Sequence, residues 1–182
     1  FRTYNTDLSL EDCKYYVTLY RNTNQNIVNF WYALEERFQY VLRKGVDQQI
    51  GKLILKRPES DVMQIWLPSG RPITYRKVRM TSSGIVCYGR QGQSSKWGDV
   101  STYGGKLVEN VTQALAGDIL AHAKLRLHKA GYYLILSVHD ELIAERRGMD
   151  LEHFKAVMAQ VPDFTPGLPI DVEASVMPRY SK

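Results

Sequence analysis

Apolar residues near the N-terminus recur every three or four positions, which is the spacing of one face of a helix. Ser9 and Asp12 form a capping box that predicts a first helix over residues 9–21. Asn24 is placed to cap a second helix, and Gly45 is placed to end it. The N-terminal part is therefore predicted to form two successive helices, and Trp31 and Phe38 of the second helix are most simply core residues.

The pattern changes between residues 51 and 92 to short runs of β-branched and aromatic residues. Clusters rich in Pro, Ser and Gly separate the runs, as expected for tight turns. The predicted strands cover residues 52–55, 62–67, 73–78 and 85–88. Residues 91–101 are polar and rich in Gly and Ser, so we predict a loop there that carries Lys96 and Trp97. This part is predicted to be a small antiparallel sheet of hairpins.

The longest helical pattern covers residues 104–129 and ends at Gly131. Residues 132–138 and 142–144 are apolar and predict two strands that meet at a tight turn. We expect this hairpin to be buried. The remaining predicted elements are a helix over residues 150–160 and a strand over residues 170–176. Antiparallel hairpins with packed helices predict the α+β fold class.

The composition is that of an ordinary globular domain, with 44% hydrophobic and 24% charged residues in a chain of 182. The longest apolar run, residues 132–138, is far shorter than the roughly 20 residues that cross a bilayer. We therefore expect a soluble intracellular protein without a membrane partner. Cys13 and Cys87 lie far from each other and from any Cys/His cluster, so neither a disulfide framework nor a zinc site is predicted.

The distribution of charge is more informative than the net charge of +5. Residues 71–106 contain seven Lys or Arg residues and one acid, whereas the chain from residue 140 onward contains eight acids and five bases. The first region suits a polyanion and the second suits cations. The basic residues that we expect to contact phosphates are Arg71, Arg76, Lys77, Lys96 and Lys106.

His139, Asp140 and Glu141 are consecutive at the predicted turn. Burying carboxylates is costly unless a cation or hydrogen-bond donors compensate, so two acids at one turn suggest a metal. Mg²⁺ is typically held by one or two carboxylates plus phosphates, and Asp140 with Glu141 would form half of such a site. In-line phosphoryl transfer by two metals needs a further carboxylate from elsewhere. Taken alone, the tripeptide is weak evidence for a metal, because a His-Asp-Glu turn on a solvated hairpin is an ordinary surface feature.

Two blocks of sequence carry a specific resemblance. They are residues 102–118, TYGGKLVENVTQALAGD, and residues 136–142, LSVHDEL. Both closely resemble family A DNA polymerases of the phage or prophage type, in which the second block is motif C and the first is the helix packed beside it. Residues 20–21 (YR), 30–35 (FWYALE) and 67–71 (LPSGR) resemble further parts of the same group, so the resemblance covers essentially the whole chain.

The resemblance implies part of an enzyme that transfers nucleotides from dNTPs to a primer 3′ end during DNA replication. Asp140 matches the carboxylate that holds the catalytic Mg²⁺, and Glu141 matches its partner acid. His139 matches the residue beside the primer terminus, and Gln113 matches a residue that hydrogen-bonds the minor-groove edge of the terminal base pair. The implied partners are primer–template DNA, dNTPs and the polymerase remainder upstream of Phe1, in the cytoplasm of a bacterium or phage-infected host.

The resemblance implies that residues 1–182 are a single C-terminal fragment of a DNA polymerase domain, with three parts. It assigns residues 1–45 to helices that follow motif B, residues 46–101 to a hairpin region and loop, and residues 102–182 to a partial palm subdomain. Motifs A and B are absent, so the chain is expected to supply half of a two-metal site and to be inactive alone. Two smaller departures are Glu109, where family members often have Asn, and Gly117, where phage-type blocks tend to have Arg.

An alternative is a non-catalytic module that binds duplex nucleic acid through basic hairpins and carries a vestigial acidic turn. A metal-dependent phosphohydrolase fits poorly, because His122, His128 and His153 lack the spacing of a ligand cluster. Trp97 and Tyr103 have the chemistry to stack on nucleic acid, although packing is the commoner role of such aromatics. Activity restored by a chain that carries motifs A and B would favour the polymerase.

Overall fold

The computed structural model describes residues 8–92 and 95–180, and its helices and antiparallel strands confirm the α+β class. Along the chain the elements are α1 (Leu10–Thr23), α2 (Gln25–Lys44), β1 (Gln48–Ile50), β2 (Leu53–Glu59), β3 (Val62–Trp66), β4 (Pro72–Thr81), β5 (Gly84–Arg90), β6 (Trp97–Thr102), α3 (Gly104–Lys129), β7 (Tyr133–Val138), β8 (Glu141–Glu145) and α4 (Leu151–Met158). No helix in this part of the chain is long and apolar enough to cross a membrane. Phe1, which the resemblance places after motif B, and residues 93–94 of the predicted loop lie outside the described residues.

Two successive helices form at the N-terminus, as predicted. The Ser9 hydroxyl accepts from the Asp12 amide at 3.1 Å, and the Asp12 carboxylate accepts from the Ser9 amide at 3.1 Å, which completes the capping box of α1. α2 ends at Gly45, whose φ is 68°. Asn24 is the N-cap residue of α2, as predicted, but its side chain makes no capping hydrogen bond, because Nδ2 donates instead to the Tyr20 carbonyl at 2.9 Å.

Strands β1 to β6 form one antiparallel sheet in which each strand pairs with the next along the chain. Four of them overlap the predicted strands, whereas β1 is an addition. The predicted loop over residues 91–101 is wrong from Trp97 onward, because β6 forms there. β6 is mostly polar, and pairing with β5 from Trp97↔Arg90 to Thr102↔Ile85 holds it in the sheet. A hydrophobic pattern does not report such a strand.

The chain divides into two compact units, and the first contains residues up to Trp66 together with residues 72–111. Within it α2 packs on β1, β2 and β4, and the ring of Phe38 meets that of Tyr75 edge-on at 5.5 Å. The largest fully buried side chains of this unit are Phe38, Leu34, Leu55, Met63, Ile65, Ile85, Leu107 and Val41. Burial raises the pKa of Tyr75, whose hydroxyl accepts from Asn110 Nδ2 at 3.0 Å. The helix and sheet thus share one core.

The second unit contains residues 67–71 and the chain from Thr112 onward. Its buried core consists of Leu127, Tyr132, Phe154 and Val157. α3 has the predicted bounds, and Gly131 follows it with a φ of 83°. The Asp150 side chain caps α4 by accepting from the His153 amide at 2.9 Å. This core supports the hairpin formed by β7 and β8.

The β7–β8 hairpin has the predicted turn, but the prediction that it is buried is wrong. One face packs on the core of its unit through Leu134, Leu142 and Ala144. On β7, by contrast, Tyr133 is 72% exposed and Ile135 is 50% exposed. These exposed side chains leave the outer face of the hairpin open to solvent within the described part of the chain.

The predicted last strand over residues 170–176 is also wrong, because this segment has no regular secondary structure. Half-buried and exposed residues do alternate from Ile170 to Ser175, which is the pattern of a strand. A strand also needs a neighbour for its hydrogen bonds, and no described strand pairs with this segment.

Candidate functional site

The β7–β8 turn consists of His139 and Asp140, since Val138 and Glu141 form the last pair of the ladder. His139 has a φ of 51°, in the left-handed region that L residues rarely adopt. Among the described residues, Lys77 is the one other non-glycine with a positive φ. Such conformations cost on the order of 1 kcal/mol and concentrate at functional sites. The turn therefore places a strained residue directly beside the predicted metal ligand.

The two carboxylates at the turn differ in their contacts. Both are exposed. Glu141 Oε2 accepts from the Tyr180 hydroxyl at 3.0 Å, and desolvation together with this carboxylate raises the pKa of Tyr180. Asp140 has no hydrogen-bond or ion-pair partner among residues 8–92 and 95–180. Its charge is thus uncompensated within the described chain.

The donor set at this turn fits part of a magnesium site. Carboxylate oxygens are the ligands that Mg²⁺ prefers, and one or two are typical when phosphates and water complete the shell. In the described ranges, no three Cys, His, Asp or Glu residues are grouped closely enough to hold a metal ion. Asp140 and Glu141 therefore offer at most part of a coordination shell, which is what the sequence predicts for half of a two-metal site.

Gln113 lies in α3 with an exposed side chain and belongs to the same unit as the turn. The helix restricts the rotamers of this side chain, because α3 runs without interruption from Gly104 to Lys129. Gln113 is thus available for contacts outside the described chain. Its minor-groove role stays a prediction.

Arg71 makes contacts that the sequence did not suggest. Its Nε donates to Asp118 Oδ1 at 2.7 Å, and its Nη2 donates to the Ala114 carbonyl at 3.0 Å. The Ser69 hydroxyl donates to the other oxygen of Asp118 at 2.5 Å. The residues 67–71 turn is therefore fastened to α3 within the second unit. Asp118 is the acceptor that joins Ser69 and Arg71 to α3. Sequence reasoning missed it, because no short motif identifies an acid in a long helix as the partner of a distant turn.

These contacts predict a structural role for Arg71. Arg71→Ala leaves the Asp118 carboxylate, whose side chain is 13% exposed, without its cation. We expect the free energy of unfolding to fall by about 1–2 kcal/mol, with the exposure of Arg71 limiting the loss. Urea titration followed by far-UV circular dichroism measures it, because all three tryptophans lie in the first unit whereas Arg71 and Asp118 lie in the second. Arg76→Ala is the matched control and should stay within about 0.5 kcal/mol. Equal effects of both substitutions would contradict the anchoring role.

The other predicted phosphate contacts lie in the first unit. Arg76 and Lys77 are in β4, Lys96 immediately precedes β6, and Lys106 is in the first turn of α3. Lys77 Nζ lies 4.5 Å from the centroid of the Tyr88 ring, which is a cation–π geometry. Tyr88 was not predicted to belong to a site. Contact with phosphate stays a prediction for all of these residues.

Comparison with known proteins shows which kind of protein this chain is similar to. It is 36% identical over 175 residues to the DNA polymerase of Bacillus phage SP02, and the alignment covers 91% of this chain. The chain is similar to part of a DNA polymerase. It spans 27% of the length of that protein. No protein-family model and no solved structure matches it. The resemblance to a DNA polymerase is confirmed at this level, whereas family A, the palm and motif C stay predictions.

Proposed function

We propose that this chain is the part of a family A DNA polymerase that carries motif C, and that it takes part in template-directed nucleotidyl transfer from dNTPs to a primer 3′ end. The observation that carries the proposal is the sequence LSVHDEL at an exposed hairpin turn, within a chain that is similar to a phage DNA polymerase over 91% of its length. The partners are primer–template DNA, dNTPs and the polymerase remainder that bears motifs A and B.

The residues of the turn have distinct roles in this proposal. Asp140, which has no partner among the described residues, would hold Mg²⁺ through its carboxylate, and Glu141 would shape the site while it accepts from Tyr180. Bound Mg²⁺ would stabilise negative charge on the attacking and leaving oxygens. His139 lies beside the primer terminus, and Gln113 contacts the minor-groove edge of the terminal base pair. There, acceptors common to all base pairs allow geometry to be checked without reading sequence.

Primer extension tests the proposal. The chain alone should not extend a primed template with Mg²⁺ and dNTPs, because it lacks the motif A carboxylate and the motif B cations. A chimera in which this chain replaces the matching segment of the Bacillus phage SP02 polymerase should extend the same primer. The SP02 polymerase with that segment deleted is the control and should be inactive.

Two outcomes would contradict the proposal. Template-dependent extension by the chain alone would mean that it is not a partial active site. A folded chimera that binds primer–template DNA but adds no nucleotide would favour the alternative of a non-catalytic duplex-binding module. Circular dichroism and a thermal unfolding curve establish that the chimera is folded.

A further inference from the structure

One face of the six-stranded sheet presents a pair of exposed aromatic rings. Tyr88 and Trp97 lie on neighbouring strands with ring centroids 6.0 Å apart and an interplanar angle of 32°. Trp97 is 64% exposed and Tyr88 is 39% exposed. The register pairs Tyr88 with Asp99 and Trp97 with Arg90, so these four side chains share a face, because alternate residues of a strand point the same way. The pair therefore offers ring surface to solvent.

Cations surround this aromatic pair. Arg76 is the cross-strand partner of Tyr88 on β4, and Arg90 is the partner of Trp97. Between residues 72 and 106 the sequence contains one acid, Asp99, and its carboxylate forms an ion pair with Arg79. The acid is thus neutralised within the sheet. The part of the sheet formed by residues 72–102 therefore carries a net positive charge and suits an anionic ligand.

An irregularity in the backbone of β4 places a further cation, Lys77, over the Tyr88 ring of this pair. The register shifts between Arg76 and Arg79, so Lys77 and Val78 stand opposite Cys87 alone, which is a β-bulge. Val78 is buried and its amide donates to the Asp61 carbonyl at 2.8 Å, which anchors the bulge. Lys77 takes a φ of 51° and lies over the Tyr88 ring. The strained residue is therefore a lysine held against an aromatic.

We propose that this face, which we call the aromatic face and define by Arg76, Lys77, Tyr88, Arg90 and Trp97, binds single-stranded DNA. Unpaired bases stack on the Trp97 ring, which the neighbouring Tyr88 ring supports, and the cations contact the phosphates. A duplex keeps its bases stacked on each other, so it offers no ring surface to Trp97. In the polymerase proposed above, the ligand is the unpaired template strand. That assignment rests on the proposed function, whereas the binding of single-stranded DNA to the aromatic face does not.

Binding is measured with the 182-residue chain and a fluorescein-labelled dT12, by anisotropy at 50 and 200 mM NaCl; the duplex probe is a hairpin with a 12-base-pair stem and no overhang. We expect dT12 to bind more tightly than the hairpin. Trp97→Leu keeps apolar bulk but removes the ring, and it should weaken dT12 binding by about 5-fold to 150-fold. Tyr32→Leu, at a 59% exposed tyrosine of α2, is the matched control and should bind as the wild type does.

Two further measurements separate stacking from charge. Stacked bases should quench the fluorescence of Trp97, and Trp97→Leu should abolish the quenching although the other two of the three tryptophans remain. Lys77→Asn removes the cation but tolerates a positive φ, so it should lower the slope of log affinity against log salt by about 0.7. Lys14→Asn, in the exposed helix α1, should leave the slope unchanged.

Three results would overturn the proposal. They are equal binding of dT12 by wild type and Trp97→Leu, hairpin binding as tight as dT12 binding, and U12 binding much tighter than dT12 binding. The first two would leave a surface that recognises phosphates alone, and the third would assign the face to RNA. Binding of single-stranded DNA does not need catalysis. If the chain binds dT12 with quenching of Trp97 while the chimera is inactive, the proposed function is contradicted and this inference is still supported.

Discussion

Asp140→Asn should lower the rate of nucleotide addition by at least about 100-fold in the chimeric polymerase, or roughly 2.7 kcal/mol of activation free energy. The substitution keeps the shape of the side chain and removes its charge. Asp140 has no partner among the described residues, so the fold does not depend on that charge. A carboxylate that acts only on the reacting centre contributes to transition-state stabilisation, so the affinity for primer–template DNA should change little.

Single-turnover extension of a labelled primer measures the rate, and anisotropy of the same DNA measures the affinity. Glu145→Gln is the matched control, because Glu145 is an exposed acid of β8 at the end remote from the turn. It should polymerise normally. His139→Ala and Gln113→Ala should instead shift extension of mismatched ends more than they shift the requirement for metal. Near-normal rates for Asp140→Asn would show that this carboxylate is not the metal ligand.

Gly104→Ala should destabilise the first unit by at least about 3 kcal/mol, the upper range for an overpacked site. A Cβ at Gly104 would lie 2.1 Å from the carbonyl oxygen of Trp31, and that oxygen belongs to the backbone of α2. The Gly104 amide also donates to Glu35 Oε2 at 2.8 Å, so a shift that relieves the clash loses this bond as well. Neither side of the contact has a flexible side chain that can move away.

Differential scanning calorimetry should show a drop in melting temperature of at least about 6 °C. Gly117→Ala in the same helix is the matched control, because no described atom beyond its chain neighbours and the surrounding helical backbone lies within 4 Å of a Cβ built there. It should raise the free energy of unfolding by about 0.5–1 kcal/mol, since alanine favours the helix. Within the described residues, no close contact therefore explains glycine at position 117. Equal melting temperatures for Gly104→Ala and the wild type would refute the predicted clash.

The elements that the sequence predicted well are those with strong local signals. Ser9 and Asp12 mark the start of α1, Gly45 ends α2, and Gly131 follows α3, because capping chemistry is confined to a few neighbouring residues. The β7–β8 turn was likewise predicted, since two apolar runs flank a polar pair. Local patterns thus located most of the fold and the residues of the candidate metal site.

The features that the sequence did not predict depend on partners distant in the chain. β6 is a strand because β5 pairs with it, and residues 170–176 are not a strand because no described strand does. The burial of β7 was overestimated for a related reason, since an apolar run does not show whether its outer face is covered. The anchor of Arg71 on Asp118 joins residues 47 positions apart, and no local pattern encodes that pairing.

The two left-handed residues have a consequence for protein engineering. At Lys77 and His139, glycine would occupy the observed backbone with less strain, so each wild-type residue makes the fold less stable than it needs to be. A library screened only for resistance to heat should therefore enrich glycine at both positions. Each enriched variant would lack a side chain that belongs to one of the proposed sites. Thermostabilised variants of this chain should therefore be selected for DNA binding or primer extension as well as for heat resistance.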